Sequence, residues 1–191
     1  MVKAGLRVVE VPLNSPDALR SIRLLAESLP EDVVVGAGTV LSVEQVAQVA
    51  EAGGTLVVSP NMDRDVIART KELGLLSLPG VCTPTEAFAA LQAGADGLKA
   101  FPGEQIPPKI IKAWRAVLPT DTCLLLVGGA SPENMPAYTQ AGVSGFGVGS
   151  GLYRPGDGAE EVAPRALAFV AALRDSEQDA GPGGSKRAKT S

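Results

Sequence analysis

The sequence contains no histidine. That excludes Ser-His-Asp and Cys-His nucleophile pairs, imidazole acid–base chemistry and the common zinc sites. It has only two cysteines, Cys82 and Cys123, far apart and without a CxxC spacing. This usage points to a reducing compartment, here the cytoplasm, and to structural cysteines. No apolar run is long enough to cross a bilayer, and no signal peptide is visible. There is no excess of positive charge: the formal net charge is −4. Neither general nucleic-acid binding nor binding to an acidic membrane is expected from that balance. Any chemistry therefore rests on Lys, Arg, Glu, Asp, Ser, Thr or backbone amides.

With 191 residues, 45% hydrophobic and 20% charged, the chain has enough apolar material for one sizeable core. Strand-like and helix-like runs alternate strictly. LRVVEVPL (6–13), VVVGAGT (33–39), TLVVSP (55–60), LLSLPG (75–80), DGLKAFP (96–102), TCLLLVGG (122–129) and SGFGVGS (144–150) read as strands, each followed by a helix-like run, the last at 162–175. The strands are near-continuous apolar runs, as when helices cover a parallel sheet or a barrel closes. The spacing of Val43, Val46, Ala47 and Ala50 is helical. The pattern predicts an α/β fold: a (β/α)8-type barrel or a doubly wound open sheet. Residues 1–175 form the expected domain, and 176–191, polar and rich in Gly, Ser and Lys, are expected to be a disordered tail.

Seven βα units are present where the common barrel has eight. The chain opens MVKAGLRVVEVP, and Ala-Gly closes helix-like runs again at AEAGG, LQAGAD and TQAGVS. Gly5 then reads as a helix C-cap before the first strand. The expectation is a barrel lacking its first βα unit, with two unpaired edges and a lumen open to water. Such opening should return a buried lysine toward the pKa of a free amine.

Within DGLKAFP, period two puts Gly97, Lys99 and Phe101 on one face and Leu98 and Ala100 on the other. Lys99 is then buried or points into a lumen, where desolvation leaves some amine neutral and able to attack a carbonyl. The plainer reading is a lysine that reaches water along its stem. Glu10 shares a strand face with Val8 and Pro12, near the end of the strand where barrel active sites are built. It is either a proton shuttle or the salt-bridge partner of Lys99. Two Gly-rich loops, VGGASPEN (127–134) and VGSGLYRPG (148–156), have the composition of a phosphate cradle. Thr39 and Thr83 are small polar groups at the same strand ends. Pro84 reads as turn punctuation and Glu86 as first-turn electrostatics.

The motifs VVEVPLNSP, VGAGTV, VSPN, PGVCTPTEAF, GLKAFP, VGGASPEN and GVGSGLY run in order from about residue 5 to 173. Together they resemble the 2-keto-3-deoxy-6-phosphogluconate and 2-dehydro-3-deoxy-6-phosphogalactonate aldolases. The resemblance implies a metal- and cofactor-free class I aldolase, a homotrimer, acting on a phosphorylated sugar acid with release of pyruvate. It implies that Lys99 forms the Schiff base and that Glu10 is the general acid/base. Gly128, Gly129, Gly149 and Ser150 are implied to hold phosphate, and Thr39, Pro60 and Thr83 to line the site, with Thr83 at the pyruvyl carboxylate. EVPLNSP resembles the galactonate type rather than the gluconate type, which carries Thr-Leu-Arg after the glutamate. The family's first strand, ending in Arg-Gly, has no counterpart here, and Arg7 lies at the start of the next strand. The competing readings are an inactive fragment of such an enzyme and a non-catalytic phosphate-binding barrel.

Overall fold

The computed structural model describes residues 1–179. Its elements run β1 (Val8–Pro12), α1 (Ala18–Ser28), β2 (Val34–Gly38), α2 (Val43–Glu51), β3 (Leu56–Val58), α3 (Arg64–Glu72), β4 (Leu76–Leu78), β5 (Gly80–Val81), α4 (Pro84–Gln92), β6 (Gly97–Ala100), α5 (Pro108–Arg115), β7 (Cys123–Val127), α6 (Met135–Ala141), β8 (Gly145–Gly147) and α7 (Ala159–Asp179). All pairings are parallel, in the orders β1-β2-β3-β4 and β5-β6-β7-β8.

The single strand expected at 75–80 is split into β4 and β5. Pro79, between them, has no N–H to give to a ladder. Its carbonyl still accepts from Lys99 N–H, as Ser77 O does from Asp96 and Val81 O from Phe101. Residues 76–81 therefore join the two sheets into one parallel arc, and each arm of the arc leads into a helix. This is the expected barrel-type fold. Among the described residues β1 and β8 do not pair with each other, so the arc stays open there.

Gly5 closes the short 3-10 turn Val2–Ala4 in the left-handed conformation (φ 111°), donating its N–H to Val2 O, as the Ala-Gly signal predicts. Beside the open edge, Ala4, Leu6 and Val148 pack onto Leu152, Val162 and Ala166, so the N-terminal segment rests against α7.

The core lies between sheet and helices. Leu98, Ala100, Leu124 and Leu126 pack with Ile111 and Trp114, and Val35, Ala37 and Val57 with Ile22, Val46 and Val49. Burying each larger side chain contributes roughly 1.5–3 kcal/mol. That packing also sets the register: with Leu98 and Ala100 facing the helices, alternation turns Lys99 to the opposite face.

Helix α7 outruns its expected span of 162–175. Glu160 and Glu161 favour the earlier start by complementing the helix dipole. At the other end Ser176 is buried, its hydroxyl donating to Leu173 O and pairing with Thr139 Oγ1. The boundary expected at 175 thus falls inside a helix; residues 180–191 of the expected tail lie outside the described residues.

Candidate active site

Lys99 is held from both sides, opposite Gly80 of β5 and Leu125 of β7. It is only 8% exposed. Its Nζ lies 4.6 Å from the centroid of the Phe101 ring, the residue that shares its strand face. Among the described residues the ammonium has no hydrogen-bond or ion-pair partner within 4 Å. Burial holds its pKa below that of an ordinary lysine, and the charge of Glu10 opposes that shift. The expected return toward a free amine is not seen. The open edge lies beside β1 and β8, whereas Lys99 sits on an inner strand between β5 and β7 with Phe101 beside its amine.

Glu10 stands on β1, with its strand paired to β2 in the register Glu10–Gly36 and Pro12–Gly38. The residue keeps solvent contact because β1 is an edge strand. Its carboxyl group is nevertheless tucked over Gly38, where a Cβ would collide with both carboxyl oxygens. Desolvation of the carboxyl raises its pKa, with Lys99 pulling it back. Each group is felt electrostatically by the other, yet they do not close the salt bridge that the plainer reading of the sequence allows. A carboxyl group and an amine thus face one space without neutralising each other in contact. Gly38→Ala is expected to displace the Glu10 carboxyl, the flexible end of an exposed side chain, at little cost in stability, measurable by urea unfolding.

Beyond Phe101 opens a cleft of about 440 Å³, lined among others by Phe101, Glu104, Gly128, Gly129, Gly149 and Ser150. The two Gly-rich loops therefore meet in one place. Gly128 and Gly129 are both left-handed (φ 100° and 67°), a pair of conformations that side chains strain. Asn134 fixes that turn: its Nδ2 donates to Gly129 O and its Oδ1 accepts from Ser131 N–H. The loop after β8 is tied down by Arg165, which reaches Leu152 O and Asp157, while Asp157 accepts from Arg154 N–H. Phe101 is shared between Lys99 and the cleft, so a ligand can span the two.

The remaining candidates sit at the same ends of the strands but outside the cleft lining. Thr39 follows β2 in a left-handed conformation (φ 57°), unusual for a β-branched residue and a local strain beside Gly38. The backbone of Pro60 presses on Gly80 so closely that no Cβ fits there. Thr83 is the N-cap of α4; its hydroxyl and N–H pair with the Glu86 carboxylate, and Glu86 N–H returns to Thr83 Oγ1. The Thr83 hydroxyl is thus committed to a capping box, and the expected first-turn role of Glu86 is met by the same pairing. Thr83→Ala is expected to cost about 1 kcal/mol in an unfolding titration.

Arg7 pairs with Asp32 (3.0 Å) at the entry end of β1 and takes no part in the site. Two contributors escaped sequence reasoning. Gly38 stands inside GAGT two residues beyond the strand partner of Glu10, and no spacing in the sequence marks it as the place where that carboxyl rests. Glu104 lay in the loop after the Lys99 strand, and its charge at the functional end of a barrel was the available clue. Among the described residues no group of three or more His, Cys, Asp or Glu is placed to hold a metal ion, and no helix is long and apolar enough to cross a membrane.

The chain is 45% identical over 178 residues to the 2-dehydro-3-deoxy-6-phosphogalactonate aldolase of Escherichia coli K12, covering 93% of this chain and 87% of that protein. A solved structure described as native KDPGal superposes with a TM-score of 0.91 at 45% identity, covering 93% of this chain and 86% of the other. The KDPG aldolase of Legionella pneumophila, with pyruvate captured as a covalent carbinolamine, superposes with a TM-score of 0.74 at 26% identity, covering 91% and 82%. The sequence pattern of the KDPG and KHG aldolases matches residues 1–159. By sequence pattern, relatives and fold alike, the chain belongs to the KDPG/KHG aldolase family, a family of carbon–carbon lyases.

Proposed function

We propose that this protein cleaves 2-dehydro-3-deoxy-6-phosphogalactonate to pyruvate and glyceraldehyde 3-phosphate through a Schiff base on Lys99. The observation that carries the proposal is the largely buried Lys99 side chain, whose amine has no partner among the described residues, faces Glu10 and shares Phe101 with a Gly-rich cleft. The lowered pKa provides neutral amine, which attacks the C2 ketone to give a carbinolamine. Loss of water leaves a protonated imine, whose charge the Phe101 face favours. Glu10 takes the proton of the C4 hydroxyl as the C3–C4 bond breaks. The bonding pair flows into the imine, leaving an enamine on Lys99 and an aldehyde at C4. Protonation at C3 and hydrolysis then free pyruvate and restore the amine.

In this reading Gly128, Gly129, Gly149 and Ser150 hold the 6-phosphate by backbone N–H and hydroxyl groups, and Thr39, Pro60 and Thr83 border the pyruvyl end. Because the Thr83 hydroxyl is occupied, its contribution there is the start of α4 more than its own oxygen. The enzyme needs no metal, works in the cytoplasm and assembles as a homotrimer, as the family resemblance implies.

The galactonate epimer is favoured by the EVPLNSP segment and supported by the 45% identity to the E. coli galactonate enzyme. The gluconate epimer is the second reading. Steady-state kinetics with both epimers, coupling released pyruvate to lactate dehydrogenase, tests it. A kcat/KM at least tenfold higher for the galactonate epimer is expected; equal values or the reverse order would transfer the assignment.

A further inference from the structure

The cleft formed by the Gly-rich loops is lined by eleven residues, and the one charged side chain among them is a carboxylate, Glu104. Among the described residues no lysine or arginine is part of the lining, although the Arg154 guanidinium donates to Ser150 O at its edge. Glu104 lies directly against the turn between β7 and α6. Its Oε2 is 2.5 Å from where a Cβ on Gly128 would stand, and its Cγ 2.8 Å from where one on Gly129 would stand. Glycine at both positions therefore leaves room for Glu104. Among the described residues Glu104 forms no ion pair. Among the described residues no lining side chain neutralises its charge, and a phosphate held on the same loops would face it.

A phosphate is ordinarily met by cations as well as backbone amides. Here the geometry opposes one anion with another across a solvent-open cleft, where unit charges several ångströms apart still interact by about 1 kcal/mol. We propose that Glu104 is a specificity-determining residue that weakens the hold of this cleft on phosphate alone. Free phosphate and short phosphomonoesters are then retained poorly, and a ligand stays only when its keto-acid end is also engaged at Lys99. The inference rests on the reading of the cleft as the phosphate site. It adds that this site is deliberately poor as an isolated anion site, which also eases departure of the phosphorylated aldehyde.

The test is inhibition of sugar-acid cleavage by inorganic phosphate, at constant ionic strength, in the wild type, Glu104→Gln and Glu104→Asp. Pyruvate trapping on Lys99 serves to check that each variant has an assembled pocket. Glu104→Gln is expected to lower the phosphate inhibition constant about three- to tenfold, the size of one removed repulsion, while Glu104→Asp, which keeps the charge, stays near the wild type. Should Glu104→Gln not assemble, Glu104→Ser is the neutral variant measured in its place. Unchanged inhibition in the neutral variant, or equal changes in the neutral and Asp variants, would overturn the proposal while leaving the phosphate site standing. Absence of competition by phosphate in every form, with cleavage indifferent to the 6-phosphate, would overturn the phosphate reading itself and the proposal with it.

Discussion

Lys99→Ala is expected to lower kcat by about 10⁴-fold or more, because among the described residues no other amine lies in the site to carry the covalent intermediate. Lys99→Arg should be equally inactive: a guanidinium keeps its charge and has no lone pair to attack with. The stability of these variants separates function from structure. The pKa of Lys99 is lowered in the fold by burial. The unfolded chain then holds more protons on this residue than the native one. Native stability from Lys99 therefore rises with pH between the lowered value and the ordinary lysine value of about 10.4, and is weakest below that window. At neutral pH the lysine burdens the fold. Lys99→Met is accordingly expected to unfold at the same or a higher urea concentration than the wild type while losing turnover, as when a site trades stability for activity. A large loss of stability together with retained cleavage would identify Lys99 as a structural residue.

Glu10→Gln is expected to reduce kcat by roughly 10²–10⁴-fold, the usual contribution of a placed general acid/base. Its second effect is on Lys99. The Glu10 charge raises the pKa of Lys99 against the dominant effect of burial. Removing that charge lets the Lys99 pKa fall further. The pH profile of imine formation with pyruvate, read by borohydride trapping at a series of pH values, should therefore move to lower pH in Glu10→Gln. A profile that moves to higher pH, or does not move, would mean that the two groups do not share one space. The complementary shift is expected in the opposite variant: Lys99→Met removes the interaction that lowers the Glu10 pKa, so the Glu10 carboxyl should titrate at higher pH still.

Much of this was legible in the sequence, for identifiable reasons. The βα alternation and the apolar strands follow from burial of both faces, so the number of arms and their order were readable. Lys99 stood out because period two cannot place it on the helix side while Leu98 and Ala100 fill the core. The Ala-Gly helix ends were readable because the left-handed turn at Gly5 has a residue requirement. What was not legible depends on three dimensions. The break at Pro79 depends on which neighbour needs an N–H there. The extension of α7 to Asp179 depends on Thr139 being near enough to pair with Ser176. The setting of Lys99 could not be read from an open barrel edge, because β5 and β7 flank its strand and the Phe101 ring lies beside its amine, away from that edge. The engagement of the Thr83 hydroxyl by Glu86 was written in the Thr-x-x-Glu spacing, yet its consequence for the substrate site needed the hydrogen bonds.

The central claim is that the pocket around Lys99 is assembled in this chain. It is tested most directly by incubating the protein with pyruvate and sodium borohydride, measuring the intact mass and mapping any adduct by peptide sequencing. The account predicts one reduced pyruvyl group per chain, on Lys99, and none in Lys99→Ala. A folded protein that takes up no pyruvate, or takes it up on a surface lysine instead, would contradict it.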